Sequence, residues 1–128
     1  RQMLNRIRLF ISADVGLGEY MAKNFEAMAC GCVLLAWRQG SEEPAIGLRD
    51  GEHLLLYSSL AELREHIAAL RRDPVRAQRI ADAGRSFVEA HLSYAHLAAR
   101  MAALLAEHWP VVAPLTGWRA IWQRLRFF

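Results

Sequence analysis

The sequence predicts an α/β domain in which helices cover a parallel sheet. Three short apolar runs, at residues 7–13, 32–36 and 53–57, are rich in residues that favour strands. Stretches with apolar residues at helical spacing follow the first and third runs. Because an unbroken apolar run suits a strand covered on both faces, we expect trailing helices to fold back over the sheet.

The first predicted strand, 7–13, is bounded on both sides. Before it, residues 3–7 read as the end of a helix, so we expect the chain to be a piece of a longer domain. After it, Asp14 and Gly16 break the strand and begin a loop.

Residues 20–30 are predicted to form the first helix. Gly31 suits the position after its end, because glycine tolerates the left-handed backbone found there. The second strand follows at once, over 32–36. The apolar face of the helix comprises Met21, Phe25, Met28 and Ala29.

Residues 38–52 are polar and contain the turn pair Asp50-Gly51, which predicts a loop between the second and third strands. Glu42 and Glu43 are neighbours in this loop. Such a pair is typical of solvated carboxylates, although it could also form a site.

Three helices are predicted after the third strand. Ser59, or Ser58, can cap the first of them, with Glu62 placed as in a capping box. Asp73, followed by proline, begins the second. The third spans about 95–108. The residues expected to face inward are Leu60, Leu63, Ile67 and Leu70 in the first helix and Leu97, Met101, Leu104 and Leu105 in the third.

Composition and charge exclude several classes of protein. The 128 residues are 54% hydrophobic, which suits one globular domain rather than a disordered chain. The net charge is +3, but six arginines lie in two acid-free ends, 1–10 and 109–128, which leaves the middle at −3. An acidic middle is not typical of nucleic-acid binding, so we expect no such partner.

The two cysteines, Cys30 and Cys32, lack the spacing of a zinc site, and none of the five histidines has metal-ligand spacing. No apolar stretch is long enough to cross a membrane, and no signal peptide is visible. We therefore expect reduced thiols in a cytoplasmic protein without a bound metal.

The segment 16–31 places a glycine-containing loop between a strand and a helix. This arrangement suits an anion, because the first amide groups of the helix and the helix dipole both favour negative charge. The loop also follows the carboxyl end of a strand, where open α/β sheets bind ligands. A glycine-rich turn with no ligand remains the alternative.

The string F-E-A-M-A-C-G at 25–31, followed by an apolar strand, resembles the donor-binding half of group 1 glycosyltransferases with the GT-B fold. The resemblance continues through S-E-E-P-A-I-G-L-R-D-G-E-H-L-L-L-Y at 41–57 and A-D-A-G-R-S-F-V-E-A-H-L-S-Y at 81–94, and covers roughly residues 5–108. It implies that 1–108 form part of a Rossmann-like domain that binds a nucleotide-sugar, namely a partial C-terminal half of a GT-B fold.

In this family two acidic residues, with seven positions between them, frame the loop and the helix. Glu26 matches the second, whose implied role is to accept hydrogen bonds from ribose hydroxyls; without the motif it would be read as a surface glutamate. The first position holds Gly18, and Glu19 is its neighbour. Either Glu19 serves the sugar as the catalytic acid, or it only complements the helix dipole and the contact is absent.

The resemblance also places donor-binding groups at the start of the helix. The backbone of Met21, Ala22 and Lys23 matches the segment that meets the donor diphosphate, beside Gly18. Lys23, the single lysine, could contact a phosphate or be solvated. In GT-B enzymes helix ends and basic side chains replace a cation, so no metal or cofactor is implied beyond the nucleotide-sugar substrate.

The segment 109–128 lies outside the resemblance and is predicted to hold an amphipathic basic helix near 116–125. Trp118, Ile121, Trp122 and Leu125 share a stripe, and the segment carries three arginines without an acid. It could pack on this domain, pack on a missing domain, or lie through 116–128 at the inner face of a membrane.

We therefore expect the donor-binding part of a glycosyltransferase that transfers a sugar to a glycan, lipid or other acceptor, such as a cell-envelope polysaccharide. The resemblance favours a retaining reaction and implies a missing N-terminal acceptor domain as partner, so this chain alone is expected to be inactive. The alternative is a non-catalytic nucleotide-binding or scaffolding module, which the departure at Gly18 favours.

Overall fold

The computed structural model describes residues 3–13 and 18–108 and confirms the α/β class. The predicted helix near 116–125 lies outside the described residues. After a 3₁₀ turn, Leu4–Arg6, the elements are β1 Leu9–Ser12, α1 Ala22–Ala29, β2 Val33–Trp37, α2 Glu42–Ile46, β3 Leu55–Tyr57, α3 Leu60–Arg72, α4 Pro74–His91 and α5 Tyr94–His108.

The three strands form a parallel sheet in the order β1-β2-β3. In the register, Leu9 lies opposite Val33, and Leu35 lies opposite Leu55. Because all three strands run the same way, their carboxyl ends meet at one edge, at which the chain enters α1 after β1 and α2 after β2.

Helices cover both faces of the sheet, as predicted. Val33 and Leu35 of β2 belong to one buried cluster with α3, while Leu34 and Ala36 belong to a second cluster with α1. Helix α4 contributes to both clusters. Each fully buried aliphatic side chain of this kind contributes about 1.5–3 kcal/mol to stability, so β2 anchors both layers.

Helix α1 buries most of the predicted face, because three of its four residues belong to or pack against one core cluster: Phe25, Met28 and Ala29. Asn24, Ala27 and Met28 are buried, whereas Met21 is 39% exposed. The expectation for Met21 was wrong because this residue precedes the helix in an extended conformation, with ψ 147°, and is outside the helical periodicity. Gly31 follows the helix at φ +79°, as its predicted position requires.

The predicted starts of α3 and α4 are confirmed. The Ser59 hydroxyl accepts a hydrogen bond from the Glu62 amide at 3.2 Å, and the Glu62 carboxylate accepts one from the Ser58 amide at 2.7 Å. Asp73 caps α4 in the same way. Leu60, predicted to face inward, is 70% exposed, because as the first residue of α3 it precedes the turn that packs on the sheet.

Helix α5 forms over the predicted range but buries none of its residues. The apolar side chains predicted to face inward are exposed: Leu97, Met101, Leu104 and Leu105. An amphipathic pattern specifies an apolar stripe but not the neighbour that covers it. Contacts divide the chain into two units, Arg1–Leu97 and Ala98–Phe128. Within the described ranges, no helix is long and apolar enough to cross a bilayer.

Both cysteines are free thiols. Cys32 is buried and donates to the carbonyl oxygens of Leu4 and Ile7, at 3.4 and 3.1 Å. Burial raises the pKa of the Cys32 thiol, so this group stays protonated and acts as a small core residue.

Gly84 of α4 packs closely against the backbone of His53, which lies in the turn before β3. A methyl group added there would lie 2.5 Å from the His53 carbonyl oxygen and 3.1 Å from Met28 Cε. We expect Gly84→Ala to lower the free energy of unfolding by about 1–3 kcal/mol despite the better helix propensity of alanine. Urea denaturation checks this, with the exposed Ser86→Ala as control; an unchanged midpoint for Gly84→Ala would contradict the packing.

Candidate functional site

The strands end at an edge, here called the carboxyl edge, formed by Ser12, Trp37 and Tyr57. The Tyr57 hydroxyl crosses β2 and donates to the Ser12 carbonyl oxygen at 3.0 Å. The Trp37 and Tyr57 rings meet edge to face, with centroids 5.5 Å apart. Burial raises the pKa of Tyr57, which keeps its hydroxyl a donor. The end of β1, just before the loop, is thus tied to β3.

The predicted donor-binding residues lie where the chain enters α1. Gly18 has φ +67° and is exposed, as is Glu19. Met21 occupies the N-cap position without a side-chain hydrogen bond to the helix, and Ala22 is the first helical residue. The Asn24 amide donates to the Met21 carbonyl oxygen at 2.9 Å, whereas the Met21 side chain offers no acceptor to the first turn of α1.

Lys23 and Glu26 form an exposed ion pair, with Nζ and Oε2 2.9 Å apart. The hydrogen bond from Lys23 and the charge of Glu26 favour the ammonium form, and they raise the pKa of Lys23. The structure thus brings together the two charged side chains predicted on α1. Glu26 lies one turn beyond Ala22, where its carboxylate is about half exposed.

The expectation that Glu43 lies in a solvated loop was wrong. Glu43 belongs to the five-residue helix α2, is only 5% exposed, and accepts two hydrogen bonds at Oε1. One comes from the Tyr20 hydroxyl at 3.0 Å and the other from the Gln39 amide at 2.7 Å. Burial, followed by the bond to Glu43, raises the pKa of Tyr20. The Oε1 atom of this buried residue is therefore satisfied by two donors.

A second polar group lies beside this one. Arg38, the first residue after β2, pairs with Asp50 at 3.0 Å, and the other Asp50 oxygen accepts from the Leu56 amide at 3.0 Å. Both charges act on Tyr20: Arg38 lowers its pKa and Asp50 raises it. The carboxyl edge therefore carries two groups of paired polar side chains, Tyr20 with Glu43 and Arg38 with Asp50.

Sequence reasoning missed the buried polar residues. Asn24 of α1 is 2% exposed, and its Oδ1 has no hydrogen-bond partner among the described residues, as is also true of Glu43 Oε2. Asn24 shares a face with Ala27 and Met28 at helical spacing, which was the available signal. Glu43 offered no such signal, because its partner Tyr20 is 23 residues away in sequence.

A cleft of about 280 Å³ lies at the opposite end of the sheet, beside Arg8, Val33, Leu70 and Pro74. The amino ends of parallel strands are not where open α/β sheets bind ligands, so we place the candidate site at the carboxyl edge. Within 3–13 and 18–108, no group of three or more His, Cys, Asp and Glu side chains is arranged to hold a metal ion.

Comparisons with known proteins bear on the family and the fold of the chain. Residues 2–103 match the model of a family described as glycosyl transferase-like. The fold is similar to a sucrose-phosphate synthase from Thermosynechococcus elongatus, with a TM-score of 0.62 and 23% identity over 73% of this chain, which confirms the expected Rossmann-like architecture of GT-B type. The chain spans only 23% of that protein. No curated protein sequence matches significantly.

The tie between β1 and β3 can be tested by Tyr57→Phe. Loss of the hydroxyl leaves the buried Ser12 carbonyl without this donor, so we expect the free energy of unfolding to fall by about 1–2 kcal/mol. Thermal or urea denaturation measures the change. Tyr94→Phe, at a side chain 83% exposed, is the matched control and should leave stability unchanged. Equal stability of Tyr57→Phe and the parent chain would refute the tie.

Proposed function

Because the chain belongs to the glycosyl transferase-like family, we propose that it forms the part of a glycosyltransferase that binds the nucleotide-sugar donor. The observation that carries the proposal is the start of α1 at the carboxyl edge. Met21 provides no side-chain cap there, and a diphosphate would accept hydrogen bonds from the amide groups of Ala22 and Lys23. The helix dipole adds to the attraction.

Glu26 is proposed to accept hydrogen bonds from the ribose hydroxyls. A carboxylate suits this role, because two oxygens can hold a vicinal diol. Its partner Lys23 lies 2.9 Å away and is exposed, so it can turn to a phosphate when the donor binds, or continue to hold Glu26 in place.

In the whole enzyme, the reaction proposed is transfer with retention to a glycan, lipid or polysaccharide acceptor. Stabilisation of the departing diphosphate at the helix start would make the main contribution, and Glu19 would contact the transferred sugar. The acceptor would bind to a domain outside this chain, which spans 23% of the matched synthase. No cofactor beyond the nucleotide-sugar is proposed.

One observation favours a second candidate, a nucleotide-binding module without catalysis. The position that matches the family's first acid is Gly18, whose backbone has φ +67°. This left-handed conformation disfavours most side chains by about 1–2 kcal/mol. The backbone at Gly18 therefore differs from one that would hold the family's acidic residue. Binding would then persist without transfer, even in the full-length protein.

Donor binding can be tested by titration calorimetry with uridine, guanosine and adenosine diphosphates. We expect the chain to bind one of them, and Glu26→Ala to weaken binding about tenfold, since hydrogen bonds to a carboxylate are lost. Glu65→Ala on α3 is a control with the same loss of charge. If Glu26→Ala and Glu65→Ala bind equally well, Glu26 has no role in the site.

We also expect the isolated chain to transfer no sugar, because the acceptor would bind elsewhere. A transferase assay with a panel of nucleotide-sugars and soluble acceptors checks this. Measurable turnover by the 128-residue chain would show that the site is complete within it. Turnover by a longer natural form, with none by this chain, would favour the first candidate over the non-catalytic module.

A further inference from the structure

Glu43 joins two segments that are far apart in sequence. Its Oε1 atom accepts from the Tyr20 hydroxyl and from the Gln39 amide, at 3.0 and 2.7 Å. Tyr20 lies two residues before α1, and Gln39 lies two residues after β2. A single oxygen therefore connects the entry to α1 with the turn that leaves the central strand.

Both partners of the hydrogen bond between Tyr20 and Glu43 are at least partly buried. The Glu43 residue is 5% exposed, and the Tyr20 ring is half-buried beside Phe25, with ring centroids 6.2 Å apart. Because burial raises the pKa of Tyr20, its hydroxyl keeps its proton and remains the donor in neutral solution. Hydrogen bonds strengthen in surroundings of low dielectric constant, so burial favours the bond between Tyr20 and Glu43.

The burial of this carboxylate calls for an explanation. Oε2 has no partner among the described residues, and a buried polar atom without a partner destabilises the fold. A solvated glutamate on a surface helix would avoid that cost. The two bonds that Oε1 makes offset part of this cost, and they place Glu43 between the entry to α1 and the turn after β2.

We propose that Glu43 is a positioning residue for donor binding, which holds the entry to α1 through Tyr20 against the turn after β2. The inference rests on the proposed function, because the segment held in this way, 18–23, contains the amide groups assigned to the diphosphate. Without the bond, these groups sample more conformations, and ordering them for the ligand lowers its affinity.

The test compares Glu43→Leu, Glu43→Gln and Tyr20→Phe in the whole chain. Hydrogen exchange measures the protection of amides 18–24 against those of α4, and calorimetry measures binding of the three nucleoside diphosphates. We expect Glu43→Leu to speed exchange in 18–24 and to weaken binding about tenfold, and Tyr20→Phe to weaken it about threefold. In the Glu43→Leu background, Tyr20→Phe should add nothing. Exchange in α4 should not change.

Glu43→Gln is the conservative rescue, because its amide oxygen can still accept both hydrogen bonds. We expect its affinity to stay close to that of the parent, even if its melting temperature falls. The positioning role would be overturned if Glu43→Gln bound the diphosphate as weakly as Glu43→Leu. It would also be overturned if Tyr20→Phe left both exchange and affinity unchanged. If Glu43→Leu does not fold, Glu43→Gln and Tyr20→Phe decide the case.

The proposal and the donor site fail in different ways. If the parent chain binds none of the diphosphates, the donor site is refuted. Hydrogen exchange alone then tests whether the bond between Tyr20 and Glu43 holds the segment 18–24. Faster exchange confined to 18–24 in Tyr20→Phe would support the bond as the device that holds this segment, and uniform exchange would overturn it.

Discussion

The structure depends on the burial of β2 on both faces. Val33 and Leu35 project into one cluster and Leu34 into the other, so neither face can be left to water. The strand pairs with β1 on one side and with β3 on the other. Since each of these side chains must meet a helix, the chain has to return across the sheet after every strand, and parallel pairing is the arrangement that permits this.

Parallel pairing has a consequence for chemistry, because it brings all the strand ends to one edge. Some backbone groups in or just after the strands there bond to side chains outside the sheet ladder. The Tyr57 hydroxyl donates to the Ser12 carbonyl oxygen at the end of β1. Asp50 accepts from the Leu56 amide in β3, and Glu43 accepts from the Gln39 amide after β2. Two of these bonds are local and the third, from Tyr57, joins β3 to β1 across 45 residues, so the same bonds support both the sheet and the candidate site.

Local patterns predicted the elements of the fold but not the neighbours of each residue. The capping box at Ser59 involves residues three positions apart, and the sequence contains all that it needs. Helix α2 was missed because five residues are too few to show periodicity. The burial of Glu43 was missed because it depends on Tyr20, which only the folded chain brings near. The exposure of α5 likewise depends on packing that no stripe of apolar residues can specify.

Part of the candidate site could likewise be predicted from the sequence, and part of it could not. The positions of Glu26 and Lys23 at the start of one helix follow from their spacing, whereas the backbone of Gly18 does not. A Cβ atom at Gly18 would meet nothing within 4 Å, so crowding does not exclude a side chain there. The constraint is the backbone, since φ +67° is unfavourable for a glutamate. A carboxylate in this loop can therefore be accommodated more easily at Glu19, one residue on, where no such backbone conformation is imposed.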